Sequence, residues 1–260
     1  MRRLRYEDLL CYDAIVCDLD GVIYRGRRVI EENVSVLREL QGMGKVIRFL
    51  TNNSTRTPER YVERLRRVGF SVSPQDVMTS GMATAIYLQE RGFERAYAVG
   101  SPALREVLRR RGIKVSAVEP EVVVVGMDPN FNYAKLRRAA SFVFAGRPFV
   151  ATNPDTSLPV EDGVLPGAGA MVAAISAASG RDPDVVVGKP NPIIFRMVAR
   201  DLEGGRILFV GDRLNTDIAG GNAVGWDTLL VLTGVHTLGD VETLGIEPTY
   251  WVENLTLSKR

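Results

Sequence analysis

This sequence is poor in the residues on which soft-metal, disulfide and triad chemistry depend. Its 260 residues hold one histidine, His236, and two cysteines, Cys11 and Cys17. A Ser-His-Asp hydrolase would have to use His236, and no Gly-x-Ser-x-Gly turn accompanies it, so that class is excluded. His236 follows Thr233-Gly234-Val235 and reads as a surface loop residue rather than a catalyst. Without a Cys-x-x-Cys pair there is no zinc ribbon, and two cysteines are too few for a disulfide-stapled scaffold. Cys17, inside an apolar run, reads as a buried reduced thiol. There is no Walker lysine loop. Gly167-Ala168-Gly169 lacks the third glycine of a dinucleotide fingerprint and reads as a helix N-terminus.

Charge of one sign is missing too. With 33 basic against 31 acidic residues the formal net charge is +2, so no nucleic-acid partner is expected. No apolar run approaches the ~20 residues a membrane helix needs, so no membrane partner is expected either. The start Met1-Arg2-Arg3-Leu4-Arg5 is basic, but Glu7, Asp8 and Asp13 interrupt any apolar signal region. A cytoplasmic location is the expectation.

What is present is an alternation of short β-branched runs with segments of helical periodicity, the pattern of an α/β fold with mainly parallel strands. Strands are expected at 14–17, 46–50, 97–99, 122–125, 149–151, 185–187, 207–210 and 228–232. A helix over 31–42 carries Val34, Leu37 and Leu40 on one face, and Thr57 followed by Pro58 opens another that runs to Val68. Further helices are expected over 168–178 and 192–202. Arg109-Arg110-Arg111 suits a solvated helix C-terminus before Gly112, and Trp226 and Trp251 read as packing residues.

Polar residues follow four of these strands, where ligands bind in an open parallel sheet. They are Asp18 and Asp20; Thr51-Asn52-Asn53-Ser54; Gly188-Lys189-Pro190; and Gly211-Asp212 through Asp217. Each alone is more often a turn or a cap than a site. Together they suit phosphoryl transfer. Two carboxylates one residue apart point to the same side of a strand and call for a cation, for which Mg²⁺ fits. Asp18 can attack phosphorus as a nucleophile, and Asp20, its pKa raised by a like charge, can serve as general acid and then base. Thr51 and the amides of Asn52 and Asn53 offer a cradle for phosphoryl oxygens, and Lys189 adds a point charge. Asp212 completes the metal's carboxylates, and Asp217 supports metal or lysine from behind.

These four segments resemble the motifs of haloacid dehalogenase (HAD) superfamily phosphatases. More narrowly they resemble the p-nitrophenyl phosphatase, phosphoglycolate phosphatase and pyridoxal phosphatase branch that includes the NagD-like proteins. Ala151-Thr152-Asn153-Pro154-Asp155 and Pro166-Gly167-Ala168-Gly169 are similar to cap segments of that branch. The resemblance implies a nucleophile at Asp18, an acid/base at Asp20, and phosphate contacts at Thr51, Asn52 and Lys189. It also implies Mg²⁺ held by Asp18, the Asp20 backbone carbonyl and Asp212. The fold it implies is a HAD-like doubly wound parallel sheet core, residues 1–80 plus 183–260, with an inserted α/β cap over 81–182. The cap would close over the site, contact the leaving group and set specificity for a small phosphorylated metabolite. Pairing of related proteins through such caps makes a homodimer an expectation. Leu158 stands where pyridoxal phosphatases present a histidine, so pyridoxal phosphate is not the expected main substrate. Two other readings keep the same fold: a regulatory phospho-acceptor, which would need neither Asp20 nor the insertion, and a non-catalytic binding protein, which would not need every site position filled.

Overall fold

The computed structural model describes residues 1–160, 163–200, 202 and 204–256. Two compact units emerge: Met1–Thr51, Tyr61–Met78 and Lys189–Arg260 form the first, Asn52–Arg60 and Thr79–Gly188 the second. The chain begins with β1 (Arg2–Arg3), α1 (Tyr6–Leu10) and β2 (Ala14–Cys17), then a hairpin of β3 (Tyr24–Arg25) and β4 (Arg28–Val29). Next come α2 (Glu31–Gly42), β5 (Val46–Thr51), α3 (Pro58–Arg67) and β6 (Val77–Thr79). The inserted stretch holds α4 (Ser80–Glu90), β7 (Arg95–Val99), α5 (Pro102–Arg110), β8 (Lys114–Val115), β9 (Val122–Val125) and α6 (Tyr133–Phe144). It continues with β10 (Phe149–Ala151), the hairpin β11 (Ser157–Val160) and β12 (Gly163–Pro166), α7 (Ala168–Ser179) and β13 (Val185–Val186). The chain finishes with α8 (Pro192–Val198), β14 (Ile207–Gly211), a π-helical turn (Leu214–Ile218), α9 (Ala219–Ala223), β15 (Asp227–Val231), α10 (Leu238–Leu244) and β16 (Tyr250–Val252).

In the first unit seven strands form one sheet in the order β1-β16-β15-β14-β2-β5-β6. The pairings of β2 with β5 and β14, and of β15 with β14 and β16, are parallel. All four residues of β2 are buried, as a central parallel strand covered on both faces requires. Val34, Leu37 and Leu40 of α2 pack into one core with Ile15, Ile47 and Phe49. Burying each such side chain contributes about 1.5–3 kcal/mol before entropy is counted. Phe195, Phe209 and Trp226 make a separate aromatic contact, with centroids 5.0 and 5.7 Å from the Phe195 ring, so Trp226 is a packing residue.

The second unit has its own five-stranded parallel sheet, ordered β13-β10-β9-β7-β8. Val123, Val125, Phe149 and Ile175 share its core. Gly167 caps α7, because a side chain there would meet the Asp155 carbonyl. Leu158 lies on β11, opposite Leu165 of β12.

Three expectations need correction. The run at 185–187 does not join the sheet of Asp18: β13 pairs with β10, Val150 opposite Val185, inside the second unit's sheet. A β-branched run announces a strand but not its partner. The helix expected over 192–202 ends at Val198, where Leu202 N–H turns back to the Ala199 carbonyl at 2.8 Å. Asn52–Arg60 groups with the second unit rather than the first. The Asn52 carbonyl accepts from Asn153 Nδ2 at 2.7 Å and from Ser80 Oγ, and the Ser54 carbonyl accepts from Ser101 Oγ at 3.0 Å. Cys17 is buried, Cys11 exposed, and neither forms a disulfide. Among the described residues no helix is long and apolar enough to cross a membrane.

Candidate functional site

Asp18 is the first residue past β2, and its N–H donates to the Val210 carbonyl at 2.9 Å, which extends the ladder to β14 by one step. The chain then turns sharply. Ile23 and Tyr24 N–H both return to the Leu19 carbonyl at 2.9 Å, and Gly21 N–H donates to the Tyr24 carbonyl at 2.6 Å. Gly21 sits at φ +87°, and a methyl there would fall on the Asp212 carboxylate, so only glycine serves. Asp20 lies in this turn, half-buried and bridged to Tyr24.

Lys189 is 1% exposed. Its ammonium lies 2.8 Å from Asp18 Oδ1 and 2.7 Å from Asp217 Oδ1, and donates to the Leu50 carbonyl at 3.3 Å. Asp212 follows β14 directly. Its Oδ2 accepts from Val235 N–H at 2.8 Å, while its Oδ1 is buried with no hydrogen-bond partner among the described residues. Asp217 Oδ2 accepts from the N–H groups of Asp212 and Arg213 at 3.1 and 3.0 Å, holding the turn that carries Asp212. A methyl at Gly211 would meet the Asp217 side chain, and one at Gly234 that of Asp212.

Asp18, Asp212 and Asp217 each offer an oxygen, and the three atoms lie within 4.8 Å of one another. Three buried carboxylates against one lysine leave an excess of negative charge in a site that water screens poorly. Together with the unsatisfied oxygen of Asp212, that excess is what a hard divalent cation fits. The carboxyl groups register the strain. Burial pushes Asp18 well above the usual carboxylate range; Lys189 pulls it down, and Asp217, Asp212 and Asp20 push it further up. Asp212 is pushed up to about 7 by burial, with Asp217 adding to it and Val235 N–H opposing. Burial would lower the Lys189 ammonium, but Asp18 and Asp217 overcome it and hold it above its ordinary value.

Of the residues the sequence singles out, Asp18, Lys189, Asp212 and Asp217 meet directly. Asp20 is outside the group of three close carboxylates. Thr51 is buried at the end of β5, next to the Leu50 carbonyl that Lys189 holds. Asn52 and Asn53 are engaged within the second unit: Asn52 Nδ2 donates to Asp155 at 3.2 Å, and Asn53 Oδ1 accepts from Thr55 N–H at 2.9 Å. Lys189 reaches the cluster although β13, the strand before it, belongs to the other sheet.

Sequence reasoning missed the loop after β15. Val235 N–H binds the Asp212 carboxylate, His236 N–H donates to the Asp212 carbonyl at 3.1 Å, and His236 Nδ1 accepts from Leu214 N–H at 3.0 Å. His236 is therefore a half-buried brace rather than a surface residue, and burial lowers its imidazole below the ordinary value. The available signal was position: Thr233 and Gly234 follow a strand of the same sheet, but they carry no charge. Asn33, polar on the apolar face of α2, was a second overlooked signal.

The haloacid dehalogenase-like hydrolase family model matches residues 15–114, and a HAD-hydrolase-like model matches residues 186–257. An acid sugar phosphatase of Staphylococcus aureus is 38% identical over 248 residues, covering 94% of this chain and 95% of its own. The solved 4-nitrophenylphosphatase of Thermotoga maritima superimposes with a TM-score of 0.89 at 33% identity, over 94% of this chain and 95% of that one. NagD from E. coli K-12 does so with a TM-score of 0.87 at 33% identity, over 95% and 98%. With carboxylates gathered at the carboxyl end of a parallel sheet, and with relatives aligned along nearly its whole length, this chain belongs to the haloacid dehalogenase-like hydrolases, as a phosphatase of their NagD-like branch.

Proposed function

We propose that this enzyme is a Mg²⁺-dependent phosphomonoesterase of small metabolites that works through an aspartyl-phosphate on Asp18. One observation carries the reading: Lys189 bridges Asp18 and Asp217 beside an Asp212 oxygen that has no partner among the described residues. Asp18 Oδ attacks phosphorus, the ester P–O bond breaks, and Asp20 gives its proton to the departing oxygen. Water then attacks the same phosphorus, Asp20 takes its proton, and the bond to Asp18 breaks to release inorganic phosphate. Lys189, with Thr51, neutralises and orients the phosphoryl oxygens. Asp18, the Asp20 carbonyl and Asp212 would hold Mg²⁺, with Asp217 behind them, and the cation supplies the positive charge that keeps a buried Asp18 ionised and lets it approach an anionic ester.

The acid sugar phosphatase relative makes sugar phosphates the first natural substrates to assay. The partner we assign is thus a small phosphorylated metabolite, not nucleic acid or a membrane. We further propose a cytoplasmic protein that pairs as a homodimer. Purified protein is assayed on p-nitrophenyl phosphate and a panel of sugar phosphates, with Mg²⁺ and with EDTA, beside Asp18→Asn. Steady turnover that is lost in EDTA, and that falls at least about a thousandfold in Asp18→Asn, is expected. Retained activity in Asp18→Asn overturns the nucleophile, undiminished rates in EDTA overturn the metal, and one stoichiometric phosphorylation without turnover would favour a phospho-acceptor.

A further inference from the structure

We infer that Asn33 and Thr233 are positioning residues that hold the turn carrying Asp20 for proton transfer to the leaving group; the inference rests on the proposed role of Asp20 as the acid. The turn's own backbone bonds run to the carbonyls of Leu19 and Tyr24, with Ile30 N–H on the Ile23 carbonyl at 3.0 Å. The two carbonyls immediately after Asp20 are taken by side chains from elsewhere in the first unit. Thr233 Oγ1 donates to the Gly21 carbonyl at 2.6 Å, and Asn33 Nδ2 donates to the Val22 carbonyl at 2.9 Å.

Asn33 is 0% exposed in the first turn of α2, on the face whose other members are Val34, Leu37 and Leu40. Helix packing alone would favour an apolar residue there, because a buried amide costs stability unless its hydrogen bonds are made. They are made. Besides Val22, Asn33 Nδ2 donates to Thr233 Oγ1 at 3.3 Å, and its Oδ1 accepts from Leu255 N–H at 2.8 Å. One amide thus ties the segments that follow β2, β15 and β16 to one another. Buried networks of this kind specify a single geometry when every member is satisfied. The turn needs outside support because Gly21, at φ +87°, has the least intrinsic preference for one conformation. Fixing the Gly21 and Val22 peptides fixes the backbone on the C-terminal side of Asp20, and an error of about 1 Å in such placement can cost a hundredfold in rate.

The consequence is selective. An ester of an acidic alcohol leaves with little help from a proton, whereas an alkyl ester depends on it. Asn33→Ala, Thr233→Val, Thr233→Ser and Asp20→Asn are prepared in the full chain and compared with wild type, with Mg²⁺, on a series running from p-nitrophenyl phosphate to simple alkyl phosphates. The quantity read is kcat/KM, which reports cleavage of the ester bond. Asn33→Ala and Thr233→Val are expected to lose about tenfold or more on the alkyl esters but less than about threefold on p-nitrophenyl phosphate. Thr233→Ser, which keeps the hydroxyl, restores the alkyl rates. Asp20→Asn must show the same steepening, only larger. If Asp20→Asn loses equally along the series, the reading of Asp20 fails. If Asp20→Asn steepens while Thr233→Val loses equally or not at all, the positioning role fails. Thr233→Val, close to threonine in shape, decides alone should Asn33→Ala not fold, and loss of the fold in both, seen by circular dichroism, makes the network structural only and overturns the inference.

Discussion

The two units are built on one plan, a parallel sheet with helices packed on it, yet the buried acids at their strand ends are balanced differently. In the second unit Asp128 follows β9 and is 3% exposed, but Lys135 Nζ lies 2.7 Å away, Arg105 3.6 Å, and Asn130 N–H donates to it at 3.0 Å. One acid meets two cations. In the first unit Lys189 alone pairs with both Asp18 and Asp217, Asp212 lies in the same cluster with one buried oxygen that has no hydrogen-bond partner among the described residues, and Asp18 and Asp212 are pushed upward in pKa. The architecture does not make the site; an excess of buried charge at one sheet's carboxyl end does.

The comparison breaks most sharply at the lysine. Lys189→Met leaves two buried carboxylates uncompensated and should cost about 3–5 kcal/mol in denaturant unfolding, with a loss of turnover on p-nitrophenyl phosphate of at least a thousandfold, on the order seen when a catalytic group is removed. A smaller effect is expected from Gly234→Ala, whose methyl would displace the Asp212 carboxylate: about tenfold more Mg²⁺ for half-maximal activity, measured by metal titration.

The excess charge also predicts how pH and metal combine. A carboxyl whose folded pKa is raised, to about 7 for Asp212, contributes stability that is fully present below the usual carboxylate range and is lost as pH rises through 7. Metal-free protein should therefore lose melting temperature between pH 4 and pH 8. Added Mg²⁺ should raise it by about a few degrees at pH 8 and hardly at all at pH 5, read by differential scanning fluorimetry with EDTA controls. Equal shifts at both pH values would remove the charge argument. The smallest effect belongs to the balanced unit. Lys135→Met leaves Arg105 beside Asp128 and should cost about 1 kcal/mol in denaturant unfolding, with the half-saturating Mg²⁺ concentration unchanged.

Most of the candidate site's cluster was legible because charge is rare directly after a buried strand. Asp18 and Asp212 each follow an apolar run, and Asp217 comes one helical turn later. Asn33 and Thr233 were not legible, since a neutral side chain at such a place is a turn or a cap far more often than a brace. The fold was legible where runs were long enough to show a period, as in α2, whose bounds match the expectation. Two-residue strands such as β1, β3, β4 and β8 leave no pattern, because a pair of residues cannot display alternation.

The sequence by itself determined the α/β class, the order of most strands and the identity of the acids and the lysine, because burial periodicity and the rarity of charge beside apolar runs are local properties. Only the tertiary structure decided that β13 pairs within the second unit, that Asn52 and Asn53 bond there, and that Lys189 stands between Asp18 and Asp217. Strand partners and ion pairs are chosen by which arrangement buries the most apolar surface while leaving the least charge unanswered, and that comparison runs over the whole folded chain.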